Sequence, residues 1–291
     1  MDFSAVGKKI RELRKNIGLS QGELAEGICT QAQISKIEKG IVYPYASTLY
    51  QISQKLGVDV NYFFDIGMTP RLDYVQEVAH QLKVARRTFD YEGIRQIVRT
   101  EEENPLFSQN NLNHQLLLWH KGIYEYEFEK DAEKAIATLQ KAIDLTRQRN
   151  KVYSEKEIEI QISIGIIYFQ ENLDKAMEIY EVIKKEIHML PTLHDTTIKT
   201  RLYYNYARVL TRLQKYDESI ALCKDSIEWC IEKDTMFLLG ELHYQIGYNY
   251  ELCGDIKQAK EYMEKALIVF ELQKDDKYIQ IIQTKISDMS S

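Results

Sequence analysis

The 291-residue chain carries 44 acidic and 38 basic side chains, a formal net charge of −6, and is 44% hydrophobic with only four prolines. That length accommodates two domains, and the composition suits a well-packed, mostly helical protein. It contains no apolar run of the roughly 18 residues a membrane span needs, and the N-terminus runs straight into an amphipathic pattern with no signal peptide. Charge is uneven: residues 1–66 hold 8 basic and 7 acidic residues, and the remainder has a net charge of −7. A general nucleic-acid surface is therefore not expected beyond residue 66.

The first predicted helix buries Val6, Ile10, Leu13 and Ile17, spaced four, three and four apart. It collects Lys8, Lys9, Arg11, Arg14 and Lys15. The stretch GLSQGELAEGICTQAQISKIEKG, Gly18 to Gly40, then reads as helix, short turn, helix. Ser20 with Glu23, and Thr30 with Gln33, are capping-box pairs that mark two helix starts. Leu24, Ala25 and Ile28 face inward from the first, Ile34 and Ile37 from the second. This leaves Gln31, Ala32, Gln33 and Lys36 outward near the second N-terminus, the part of a helix-turn-helix unit that enters the major groove. Gln31 and Gln33 can read adenine; the competing use of Gln33 is to cap Thr30. Gln21, Lys36 and Lys39 are placed on phosphate, with a solvated face as the alternative.

Pro44 ends a loop, Tyr45–Leu56 is a helix burying Leu49, Ile52 and Leu56, and Val60–Phe64 is a short aromatic turn. Residues 67–70, within DIGMTP, form a linker. There Thr69 would N-cap, and Pro70 open, the next helix.

Residues 6–64 resemble an Xre/Cro-type DNA-binding domain. The marks are Leu13-Arg14, GLSQ (18–21), Leu24-Ala25, Ile34-Ser35, IEKG (37–40), Pro44, Leu49 and LGV (56–58). The resemblance implies a five-helix domain over 1–66 with an internal Arg14–Glu38 pair. One departure is Ile28, where the family has a turn glycine. A β-branched residue resists positive φ, so Gly27 is expected to take that conformation.

Residues 71–291 repeat. His243, Ile246-Gly247, Tyr250, Gly254, Ala259, Met263 and Ala266 follow the tetratricopeptide pattern. Earlier units contain Tyr203, Tyr206-Ala207, Ser219 and Cys223; Gly165, Tyr168, Ala176 and Tyr180; Trp119, Gly122, Tyr126, Ala135 and Leu139; and, most weakly, Phe89, Gly93 and Ile97. Small residues at Gly93, Ala135, Ala176, Ser219 and Ala259 mark steps of 42, 41, 43 and 40 residues, against about 34 for a standard tetratricopeptide unit. The expected architecture is all-α: a helix-turn-helix domain and an α-solenoid of about five repeats whose concave face suits an extended peptide or partner helix.

Taken together, the chain resembles PlcR-like regulators, a class of peptide receptors of Gram-positive bacteria. YNYA (204–207), RLQKYDES (212–219), YQIG (244–247), Lys277-Tyr278 and the final KIS carry the likeness. It implies a homodimeric transcriptional regulator in the cytoplasm, bound to palindromic double-stranded DNA and controlled by a short signalling peptide. It implies peptide contacts at Asn205, Gln245, Tyr278 and, by a looser alignment, Arg87. The third unit reads ISIGIIY (162–168), an apolar face that offers peptide backbone no amide. That favours the rival in which the repeats only dimerise or hold a protein partner. A partner-sequestering adaptor is a second rival.

Catalysis is not expected. The six histidines lack metal-ligand spacing, no phosphate-binding glycine loop is present, and no cofactor or metal is implied. Cys29, Cys223, Cys230 and Cys253 form no C-x-x-C pair. Cys223 and Cys230, seven apart, could share a helix face as a redox pair, though Cys223 falls on a core position.

Overall fold

The computed structural model describes residues 2–69, 71–148 and 152–289, and every element among them is helical. Two compact units divide at Leu117/Leu118. The first contains α1 (Phe3–Asn16), α2 (Gln21–Ala25), α3 (Gln31–Glu38), α4 (Ala46–Leu56), α5 (Val60–Met68), α6 (Leu72–Arg87), α7 (Tyr91–Glu101) and α8 (Pro105–Ser108). The division falls inside α9 (Asn111–Glu127). The second unit continues through α10 (Ala132–Asp144), α11 (Glu155–Glu171), α12 (Leu173–Ile187), α13 (Thr197–Arg212), α14 (Tyr216–Glu232), α15 (Leu239–Leu252), α16 (Ile256–Gln273) and α17 (Asp276–Asp288).

Helices α1–α5 close around Val6, Ile10, Leu24, Ile34, Ile37, Leu49, Ile52 and Phe63. Ile17 departs from expectation: it is the C-cap residue just past the last turn of α1, and its side chain is exposed. Gly7 lets α1 lie directly on α3, where a Cβ would overlap the Ile37 carbonyl oxygen. The expected aromatic turn at Val60 is a full helix, α5, running to Met68 through the predicted linker. Thr69 therefore caps the C-terminus of α5 rather than opening α6, which starts at Leu72 behind Arg71. Pro70 lies outside the described residues.

The repeats share one turn device. Phe89, Lys130, Gln214 and Gly254 have positive φ, and each immediately precedes the N-cap of a second helix, at Asp90, Asp131, Lys215 and Asp255. A left-handed residue reverses the chain and the next residue starts the new helix, with the carboxylate of Asp90, Asp131 or Asp255 accepting from a first-turn N–H. Four residues after each cap stand Ile94, Ala135, Ser219 and Ala259, and Ala176 stands four after the cap Asn172. The first repeat is thus registered on Ile94, one residue beyond the expected Gly93. Gly93 is small because its Cβ would strike Asp90, its own cap, not a partner helix. Elsewhere the close approaches are as the pattern requires. A Cβ on Gly122 would meet Leu139 and, at 3.1 Å, the Ala135 carbonyl; one on Gly247 would meet the Ala259 carbonyl at 3.0 Å.

In the second unit α13 packs on α11 and on α15, its counterparts in the flanking pairs, whereas α12, α14 and α16 do not pack closely on one another. The first helices of the pairs consequently line the inner side of the stack.

Candidate DNA-reading surface and repeat-domain ligand face

Helix α3 is built from its cap upward. The Thr30 hydroxyl accepts from Gln33 N at 3.2 Å, but the Gln33 side chain does not return the bond, so this is a simple cap rather than the expected reciprocal box. The Ser20–Glu23 box on α2 is complete, with bonds of 2.7 and 3.1 Å. Gly27 takes the turn conformation at φ +76, which lets Ile28 pack against the core at ordinary φ. Ile34 and Ile37 anchor the inner face. Gln31, Ala32, Lys36 and Lys39 are exposed, Gln33 is half-buried, and neither lysine has an ion-pair partner among the described residues.

Beneath this surface lies a bonded chain. Arg14 Nε and Nη2 donate to the two Glu38 oxygens at 2.5 and 3.1 Å, and Arg14 Nη1 donates to the Leu19 carbonyl. Gln21 Nε2 donates to Glu38 Oε2 at 2.8 Å, and Gln31 Nε2 donates to Gln21 Oε1 at 3.0 Å. Burial raises the Glu38 carboxyl, but the hydrogen bonds from Arg14 and Gln21 outweigh it and hold the group below the usual range. Gln21 is thus half-buried and engaged through both ends of its amide, which sequence spacing did not reveal. The two glutamines are ten residues apart and meet only through the turn.

In the repeats, Asn205 on α13 is buried. Its amide donates to the Arg201 carbonyl one turn earlier at 2.9 Å, and Arg208 Nη1 reaches its oxygen at 3.4 Å. Gln245 on α15 is also buried and donates to Thr211 Oγ1 at 2.7 Å. Thr211 donates to Asn249 Oδ1, and Asn249 donates to the Ser219 hydroxyl, at 2.7 and 2.8 Å. Asn205 and Gln245 are therefore already partnered inside the unit. Tyr278 on α17 is half-buried with its ring stacked on Phe270, centroids 4.6 Å apart. Arg87 is exposed in the last turn of α6, in the first unit.

The same faces carry charges that the sequence reading passed over. One turn either side of Asn205 are Arg201, paired with Glu159 on α11 at 2.8 Å, and Arg208, whose guanidinium lies 4.6 Å from the Phe169 ring and 5.7 Å from that of Tyr204. One turn before Gln245 is Glu241. The available signal was the i±4 spacing from the two amides. On α11 the inner run is apolar as expected, with Ile158, Ile162 and Ile167 buried.

Cys223 and Cys230 are buried free thiols, and burial pushes both above the ordinary value. His243 packs beside Tyr262, and burial lowers it to about 4. No cluster of metal-ligating residues occurs among the described residues, and no helix there is long and apolar enough to cross a membrane.

Residues 79–289 match the RNPP family C-terminal domain, and residues 10–63 match a helix-turn-helix family. The solved structures similar to this chain include Bacillus thuringiensis PlcR in complex with the peptide PapR7 and DNA. That structure is 24% identical with a TM-score of 0.87, the match covering 96% of this chain and 99% of that one. ComR from S. thermophilus, in complex with DNA and its signalling peptide ComS, is 16% identical over 98% of this chain and 100% of that one, with a TM-score of 0.67. Identities this low speak to a shared fold. An HTH-type transcriptional regulator of Sinorhizobium medicae is 46% identical over 61 residues, 21% of this chain; the match spans less than half, 44%, of that relative.

Proposed function

The chain belongs to the RNPP family, and from that premise we propose that it is a sequence-specific, homodimeric transcriptional regulator, controlled by a short signalling peptide held on the inner face of its repeats. The observation that carries the DNA half is the surface of α3. Gln31 stands outward beside a half-buried Gln33, Lys36 and Lys39 flank them without ion-pair partners among the described residues, and Gln21 fixes Gln31 from below. A helix presented this way reads base edges in the major groove while its flanking lysines and Thr30 meet the phosphate backbone. The dimer sets the spacing of two such helices on a palindromic operator. The cytoplasm, where DNA and a re-imported peptide meet, is the compartment this reading requires.

On the repeat side, the proposed peptide contacts are Asn205 on α13, Gln245 on α15 and Tyr278 on α17, with Arg87 a further candidate. A ligand regulates only if it favours one arrangement of the dimer over another. A second reading, in which the repeats dimerise or bind a protein with no peptide, draws support from the internal bonds of Asn205 and Gln245 and from the apolar α11.

The test is fluorescence anisotropy of the full chain against fragments of its own promoter and scrambled duplexes, with and without short peptides from spent culture medium. Specific binding that shifts with peptide supports the proposal. Equal affinity for every duplex removes the DNA reading, and specific binding that no peptide alters favours the second one.

A further inference from the structure

The inner face holds two opposite charges that pair with neither each other nor any other described residue. Arg208 offers five N–H donors, yet makes one long bond, 3.4 Å, to Asn205 Oδ1, and otherwise lies over the rings of Phe169 and Tyr204. Glu241 has a buried oxygen, Oε2, with no hydrogen-bond partner. Burial raises its carboxyl, the Asp275 charge adds to this, and its own backbone N–H opposes it. Tyr204 and Tyr278 feel both groups. The Arg208 charge lowers each phenol and the Glu241 charge raises it, within an overall upward shift set by burial. Arg208 lies against Tyr204 on α13, and Glu241 stands on α15, the inner helix packed directly on α13. Holding unpaired charges at a partly desolvated face is unfavourable unless something completes them. Had the face evolved only to pack, the two would be bonded, as Arg201 and Glu159 are two turns away.

We infer that this face selects a bipolar ligand: a short peptide that sets a carboxylate on Arg208 and an ammonium or guanidinium on Glu241, its backbone crossing Tyr204 and Tyr278. This rests on the peptide reading above and adds to it a required charge pattern and hence a fixed direction of binding. The carboxylate would be gripped by paired N–H···O bonds, which Lys could not reproduce.

The experiment presents the full-length protein with a synthetic mixture of short peptides: neutral ones, ones with a single Glu or a single Lys, and ones carrying Glu and Lys in either order. Retained peptides are quantified by mass spectrometry for wild type, Arg208→Gln, Glu241→Gln and the exchanged pair Arg208→Glu/Glu241→Arg, each checked for native helicity. Wild type is expected to enrich one order of the doubly charged peptides about tenfold or more over neutral ones, the worth of a charge-assisted bond. Glu241→Gln should lose only the Lys preference, Arg208→Gln only the Glu preference, and the exchanged pair should favour the opposite order. Retention of neutral and charged peptides alike, or the same preference in wild type and the exchanged pair, overturns the inference and leaves the peptide reading standing. Retention of no peptide by folded wild type overturns both.

Discussion

Gln31 is held from beneath by Gln21, whose Oε1 accepts its amide at 3.0 Å. Gln21 is in turn fastened to Glu38, so the orientation of an exposed residue proposed to read bases is set by a buried ion pair. This arrangement separates two effects that a simple contact list would merge. Gln31→Ala should cost about 1–3 kcal/mol of affinity for the specific operator and almost nothing on scrambled DNA. Gln21→Ala should reproduce part of that loss without itself touching a base. Titration of both variants on both duplexes checks this; equal losses on both duplexes would place Gln31 on the backbone instead.

The Arg14–Glu38 pair should dominate the acid response of the N-terminal helices. Glu38→Ala leaves Arg14 buried and unpaired and should cost about 3–5 kcal/mol, as breaking other buried pairs does. Because the folded carboxyl lies below its unfolded value, the contribution is complete at neutral pH. It begins to fade as pH falls through the ordinary glutamate value, about 4.3, and is lost below the folded value. Thermal melts of the full chain, followed through the N-terminal transition from pH 7 to pH 3, should show wild type losing stability over that range. Glu38→Ala should be flatter and start lower.

On the proposed reading, the exposed Lys36 and Lys39 meet phosphate. Replacing either by Ala should weaken specific and non-specific DNA alike and lower the slope of log K against log salt by about 1. A slope unchanged in both variants would return these lysines to ordinary solvation.

Gly7→Ala tests the seat of α3. The added methyl meets the Ile37 carbonyl, a backbone atom that cannot swing aside. A cost of about 1–3 kcal/mol is expected, with DNA affinity falling further than stability alone explains, since α3 itself is displaced. Melting and binding measured on the same preparation distinguish the two contributions.

The network Gln245–Thr211–Asn249–Ser219 joins α13, α14 and α15. Asn249→Ala removes one hydrogen bond from each of the Thr211 and Ser219 hydroxyls, which keep each other and the Ala207 carbonyl as partners, and should cost about 0.5–1.5 kcal/mol. Pairing it with Ser219→Ala in a double-mutant cycle should show strong non-additivity.

Much of this architecture is written in local chemistry. Ser20 and Thr30 announce helix starts, and the small residues opposite one another reveal the pairing of helices. What escaped was whatever depends on distance through space. The extension of α5 over Gly67 and Met68 rests on burial of Gly67 rather than on helix propensity. The one-residue shift from Gly93 to Ile94 arose because a glycine needed to accommodate a cap looks the same as one needed for helix contact. The sequence singled out Asn205 and Gln245, yet their bonds point inward. Arg208 and Glu241 drew no notice, because a charge's lack of a partner cannot be read from a string.

The seam of first helices has a mechanical consequence. In the second unit α11, α13 and α15 touch one another in turn, and each also carries a second helix, α12, α14 or α16. A ligand seated on these inner rods would press on the joints between successive pairs, and the outer helices would follow the rods they are packed on, as the ribs of a fan follow its pivot.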